Sequence, residues 1–267
     1  MPARALAIIP ARFASVRFPG KPLADQTGRP LIQHVVERVR EASSVDRVVV
    51  ATDDRRIADA VAGFGGEAVM TGEHPNGTSR IAEAVRVLER DHAEGAALPD
   101  LILNVQGDEP EIPTATIDRL VQGLADDPGC AMATLASPFA EDEDPHDPNI
   151  VKVMVDRAGR AMLFSRACIP HARDARGGVG TGDAAPLKHP GLYAYRRGFP
   201  AIYAALPETP GERAEKLEQL RVLEHGHPIR IIHAPAPHPG IDTPAQYAAF
   251  VNRRRDRFSG PIEPEHG

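Results

Sequence analysis

Tryptophan is absent from this chain of 267 residues, and aromatic side chains make up only 4% of it. A core must therefore be built from Ala, Val, Ile and Leu, for which the apolar fraction of 42% suffices. Cysteine is scarce too: Cys130 and Cys168 form no CxxC pair and sit near no histidine cluster. That argues against a zinc site or a disulfide framework and fits two reduced core thiols in a cytoplasmic protein. No apolar run approaches the roughly 20 residues that span a membrane, and the apolar stretch in MPARALAIIPAR is too short for a secretory leader. Neither membrane insertion nor export is expected. Positive charge is not in excess either: the formal net charge is -6, which argues against nucleic-acid partners while leaving room for a local basic pocket.

What the sequence does contain is alternation. Ala5–Pro10, Arg47–Thr52, Ala68–Met70 and Leu101–Val105 read as buried strands, and Leu31–Ala42, Arg55–Ala62, Arg80–Arg90 and Thr114–Leu124 as the helices between them. This order predicts an α/β fold with a mixed, mostly parallel sheet flanked by helices. The second half is less regular. Strands are expected at Cys130–Leu135, Val151–Val155, Ala161–Phe164, Leu192–Tyr195 and Ile229–His233, with a hairpin turn at 156–160. Glu212–His225 reads as one helix with Leu217, Leu220 and Leu223 on its apolar side, and Pro244–Arg255 as a last helix. Residues 173–186 read as a flexible surface insertion. One domain is expected over residues 1–257, followed by a disordered polar tail over 258–267.

Ligands in such sheets bind beyond the carboxyl ends of the strands, so the loops at 11–22, 53–54, 71–79 and 106–111 carry the information. The first reads ARFASVRFPGKP, with Arg12, Arg17 and Lys21 around Gly20 and two prolines. That is chemistry for holding a triphosphate, although a solvated basic loop has the same composition, and no P-loop or GxGxxG pattern is present. The loop at 106–111 begins Gln106-Gly107-Asp108-Glu109. Carboxylates there, opposite a basic loop, suit a hard cation such as Mg²⁺; capping the following helix is the alternative. Asp242, in HPGIDTPAQ, taken alone reads as the cap of the last helix.

Taken together, the strings IPAR-x4-R-x-PGKPL, VQGDEP, FSR, H-x-GLYAYR, LEQLR and GIDTP resemble the sugar-acid cytidylyltransferases, above all the CMP-Kdo synthetases. The resemblance runs from about Ala5 to Tyr247. It implies the nucleotide-diphospho-sugar transferase (glycosyltransferase-A-like) fold, with a sugar-acid and dimerisation subregion around 130–225. It further implies that Arg12 and Lys21 contact the phosphates of CTP, and that Asp108 and Asp242 ligate Mg²⁺. Gln106, His189, Tyr193, Glu218 and Gln219 would contact the sugar acid, Arg166 its carboxylate, and Gly77 and Arg80 the cytidine nucleotide. The family stretch H-x-SGTDR-x-AE is matched here by HPNGTSRIAE, so Asn76 and Ser79 depart from it.

The implied reaction is transfer of CMP from CTP to the anomeric hydroxyl of 3-deoxy-manno-octulosonate (Kdo), with pyrophosphate released, in lipopolysaccharide assembly. A cytoplasmic homodimer is expected by the same resemblance. A sialic acid or an amino-substituted Kdo is the alternative acceptor, and a catalytically silent nucleotide-binding module is the alternative function.

Overall fold

β1 (Ala5–Ala11) alternates between two apolar layers. Ala5, Ala7 and Ile9 pack with α1 (Leu31–Arg40), whereas Leu6 and Ile8 join Ile81 and Val85 on the opposite side. A strand buried on both faces needs no polar alternation, which is why ALAIIPA is apolar throughout. The computed structural model describes residues 3–14, 17–91, 98–235 and 240–258.

After α1 come β2 (Val45–Thr52), α2 (Arg55–Gly63), β3 (Glu67–Met70), α3 (Gly77–Asp91), β4 (Leu101–Asn104) and α4 (Thr114–Ala125). The more mixed half contains β5 (Met132–Pro138), β6 (Lys152–Val155), β7 (Ala161–Ser165), β8 (Leu187–Lys188) and β9 (Tyr193–Arg196). It closes with α5 (Phe199–Ala205), α6 (Pro210–Glu215), α7 (Glu218–Glu224), β10 (Ile229–His233) and α8 (Pro244–Phe258). The ten strands among the described residues join in the order β3-β2-β1-β4-β9-β5-β8-β6-β7, with β10 also on β5. Strands β3, β2, β1 and β4 run parallel, as does β10 on β5, while β9 lies antiparallel between β4 and β5. The expected mixed α/β sheet is therefore present. α1 and α4 cover one face, and α3 and α5 the other. The hairpin at 156–160 joins β6 to β7 as anticipated.

The sequence expectation fails at Glu212–His225. Lys216 adopts a left-handed conformation (φ 54°, ψ 47°), so the segment is two short helices, α6 and α7. The physical reason is a buried ion pair across the break. Arg221 Nε and Nη2 donate to the two carboxylate oxygens of Glu212 at 2.7 and 2.6 Å. Nine residues of straight helix would set these residues roughly 13 Å apart along the axis. Leucine spacing carries no trace of that pairing. Two elements went unread: the two-residue β8, and α5, whose seven residues FPAIYAA begin with a proline in the first turn. Residues 173–186 contain two single 3-10 turns, Arg176–Gly178 and Gly182–Ala184. Of the expected tail, Phe258 ends α8 and residues 259–267 lie outside the described ones.

Candidate active site

The loops that follow β1, β3 and β4 meet around Pro10. A side chain at Gly107 would press on the Pro10 carbonyl at 3.2 Å, and one at Gly77 on the Pro10 ring at 3.3 Å, so both glycines permit the convergence. The cleft formed has three adjoining hollows, and Gln106 lines all of them.

The first hollow is the charged end, lined by Arg12, Arg17, Lys21, Asp108 and Asp242. Lys21 Nζ lies 2.6 Å from Asp108 Oδ2 and 3.4 Å from Asp242 Oδ1, and Arg17 Nη2 lies 2.9 Å from Asp242 Oδ2. Arg12 is exposed and makes no hydrogen bond or ion pair among the described residues, leaving its guanidinium open to an anion. The C-terminal segment is tied in place by the Ile241 N–H, which donates to the Asp108 carbonyl at 2.8 Å. The capping alternatives for both aspartates do not hold. Thr243 and Gln246 form a capping box at the start of α8: Gln246 Oε1 accepts from the Thr243 N–H at 2.9 Å and the Gln246 N–H donates to Thr243 Oγ1 at 3.3 Å. That leaves the Asp242 carboxylate facing the cleft. α4 is preceded by Pro113, with no side-chain cap. Behind Asp108, Glu109 has an enclosed Oε2 without a partner among the described residues. Burial, then the neighbouring Asp108 charge, pushes the Glu109 carboxyl up to about 8.

The second hollow is lined by Arg12, His74, Asn76, Gly77, Arg80 and Glu218. Arg80 is only 4% exposed; its Nη1 donates to Thr71 Oγ1 at 2.7 Å and its Nη2 to Asp53 Oδ2 at 2.6 Å. The short loop after β2 thus contributes Asp53, which fixes the guanidinium from behind. His74 pairs with Glu83 at 2.5 Å, and that hydrogen bond, ahead of one from the Gly72 N–H, holds the Glu83 carboxyl low. The two departures from the family string form a local unit, since Asn76 Oδ1 accepts from the Ser79 N–H at 2.8 Å. Asn76 ties the first turn of α3, and Ser79 contributes its backbone to the tie.

The third hollow, about 250 Å³, sets the polar groups of Thr78, Asn104, Tyr193, Tyr195, Tyr203 and Gln219 among apolar Met132, Leu217 and Val222, with Glu218 at its junction with the second. Glu218 Oε2 accepts from Thr78 Oγ1 at 3.2 Å and from the Tyr203 hydroxyl at 3.5 Å; burial raises its pKa. Asn104 lines the chamber, and its Oδ1 is enclosed without a partner among the described residues.

Comparison with known proteins identifies the family. A family model described as cytidylyltransferase matches residues 6–231. The 3-deoxy-manno-octulosonate cytidylyltransferase of Syntrophobacter fumaroxidans is 51% identical over 250 residues, covering 93% of this chain and 96% of its own. That of Anaeromyxobacter sp. is 49% identical over 241 residues, covering 90% and 93%. The chain belongs to the cytidylyltransferase family. The solved structure of a CMP:2-keto-3-deoxy-manno-octonic acid synthetase complexed with CTP superposes with a TM-score of 0.85 at 41% identity, covering 96% of this chain and all of that one. A 4-diphosphocytidyl-2C-methyl-D-erythritol synthase shares the fold at 15% identity, with a TM-score of 0.59 over 94% of this chain and 98% of its own.

Against this family background, the structure brings together Arg12, Lys21, Gln106, Asp108, Asp242, Gly77, Arg80, Tyr193, Glu218 and Gln219 along one cleft. Two expected contacts do not line it. Arg166 donates through Nε to the Glu215 carbonyl at 2.7 Å and through Nη1 to the Pro148 carbonyl at 2.8 Å, bracing the α6–α7 break. His189 is 9% exposed and lies behind Tyr193 and Gln219. Among the lining residues of the third hollow the cation is Lys216, which the turn between α6 and α7 sets there. Sequence reasoning passed over Lys216, Asn104, Asp53 and His74. The last two stand in loops flagged by strand position, and Asn104 is a polar residue at the end of an apolar strand. Lys216 had no local signal, because its place depends on the helix break.

Proposed function

We propose that this chain transfers CMP from CTP to the anomeric hydroxyl of Kdo, giving CMP-Kdo and pyrophosphate. The observation that carries the reading is the continuity of the cleft through Gln106. One end concentrates cations and paired carboxylates, and the other is a chamber that presents hydroxyl and amide groups among apolar side chains.

Arg12 and Lys21 would hold the β- and γ-phosphates and offset charge on the departing pyrophosphate. Arg80, braced by Asp53, would hold the nucleoside end. Tyr193, Gln219, Glu218 and Asn104 would orient the sugar acid so that its hydroxyl faces the α-phosphorus. The P–O bond to the new acceptor forms as the bond to the β-phosphate oxygen breaks. Asp108 and Asp242 fit Mg²⁺, since both carboxylates converge on one cation, the Lys21 ammonium. Two carboxylates completed by substrate phosphates is a usual Mg²⁺ arrangement. When bound, the ion would offset α-phosphate charge and lower the pKa of the attacking hydroxyl.

The same reading includes a homodimer in the cytoplasm serving lipopolysaccharide assembly. β7, at the end of the sheet order, exposes Met162 (58%) and Leu163 (42%), which supports contact with a second copy. Among the described residues no helix is long and apolar enough to cross a membrane, and Cys130 and Cys168 are free thiols. The test is pyrophosphate release from CTP and Mg²⁺ with Kdo, with N-acetylneuraminate and without acceptor. Release with Kdo that disappears in Asp108→Ala is expected. Release with N-acetylneuraminate alone replaces the acceptor, and CTP binding without release for any acid overturns the enzymatic reading.

A further inference from the structure

Thr134 does not line the cleft. It lies on β5, fully buried, paired in register with Tyr193 of β9. Its hydroxyl has one proton, and the Leu192 carbonyl 2.7 Å away, which can only accept, takes it. The 2.9 Å contact between Thr134 Oγ1 and His189 Nε2 must then run the other way, with the Nε2–H donating. Burial pushes the His189 pKa down to about 3, so the ring is neutral and carries that single proton. Nδ1 is therefore bare. It accepts from Gln219 Nε2 at 3.5 Å, which turns Gln219 Oε1 toward the Tyr193 hydroxyl, donating at 3.4 Å. These last two contacts are long, as expected of a site that tightens around its ligand. Gln219 and Tyr193 line the chamber, whereas His189 and Thr134 stand behind it.

We propose that Thr134 is a positioning residue that sets the donor–acceptor polarity of the sugar-acid wall. By fixing the Nε2–H tautomer of His189 it orients the Gln219 amide, so that Tyr193 presents its oxygen lone pair, and Gln219 its second N–H, to the substrate. The proposal rests on reading this chamber as the sugar-acid site.

Removing the hydroxyl leaves the Nε2–H without an acceptor at a buried position, an unfavourable state that the ring relieves by moving its proton to Nδ1. The new Nδ1–H faces the Gln219 amide, whose carbonyl must swing round to accept it. The NH₂ group then turns toward Tyr193, and the substrate meets an inverted pattern of donors and acceptors.

Nitrogen-15 NMR of the imidazole reads the tautomer directly, with His189 assigned by loss of its signals in His189→Asn. The wild type is expected to carry its proton on Nε2. Thr134→Val should move signal toward the Nδ1–H form and raise KM for Kdo roughly tenfold, with kcat and KM for CTP within about twofold. Thr134→Ser, which keeps the hydroxyl, should restore both readouts. A wild-type ring protonated on Nδ1 overturns the proposal even if the valine variant does not fold, as does a folded valine variant with unchanged KM for Kdo. If the wild type releases pyrophosphate with another acid only, the substrate reading fails while the tautomer measurement still decides the role of Thr134.

Discussion

Lys21 Nζ lies 3.4 Å from Asp242 Oδ1, although 221 residues separate them. Together with its 2.6 Å contact to Asp108, this makes the ammonium the counter-charge shared by two carboxylates, with Arg17 a second one on Asp242 alone. Lys21→Gln should leave the carboxylates facing one another, costing about 1 kcal/mol, or about 2–4 °C in Tm, without Mg²⁺. Added Mg²⁺ should then raise Tm more in the variant than in the wild type. Thermal melts with and without Mg²⁺ check this; an equal shift in both proteins would separate Lys21 from the cation site.

Asp242 and its neighbour Thr243 should divide function from stability. Asp242→Asn is expected to reduce turnover by at least about a hundredfold while leaving the capping box of α8 in place. Thr243→Ala should cost about 1 kcal/mol of stability and keep turnover. Urea unfolding and pyrophosphate release on the two variants make the comparison.

Arg166 and Lys216 should exchange the roles that sequence suggests. Arg166→Met removes hydrogen bonds to two backbone carbonyls and should destabilise the fold by about 2 kcal/mol. Lys216→Gly keeps the left-handed turn, so stability should stay within about 1 kcal/mol, while KM for the sugar acid rises through loss of the chamber's cation. Unchanged stability in Arg166→Met would mean that the braces at Glu215 and Pro148 contribute nothing.

Two buried histidines predict acid sensitivity. Burial holds His189 down to about 3; burial, then the Arg254 charge, holds His34 down to about 4. Folded, each stays neutral, while the unfolded chain takes up a proton below about 6.5. Their contribution is complete above that pH and is lost as pH falls toward the folded values, at about 1.4 kcal/mol per pH unit for each ring. Urea midpoints between pH 7 and 5 should show His34→Gln with a shallower slope than wild type, by one proton.

The parallel half of the fold was legible because its strands are buried on both faces and its helices have one apolar stripe each. The strand-end loops followed from topology, and they supplied Arg12, Lys21, Asp53, His74, Gln106 and Asp108. What sequence could not show is what depends on pairing at a distance. The Glu212–Arg221 pair breaks a leucine-spaced helix, and Arg166 is engaged by two carbonyls that no motif encodes. Asp242 was ambiguous for a local reason, since Thr243-x-x-Gln246 supplies the cap that the aspartate was equally able to provide.

The tie between Ile241 and Asp108 also has a consequence for synthesis. The ten strands among the described residues are complete once His233 has been made, but the second carboxylate arrives later, held by α8 through Tyr247 and Phe250 packed near Leu31. A nascent chain interrupted between those points has these ten strands and no paired aspartates. The pairing of Asp108 with Asp242 around Lys21 is thus among the last features the growing polypeptide acquires.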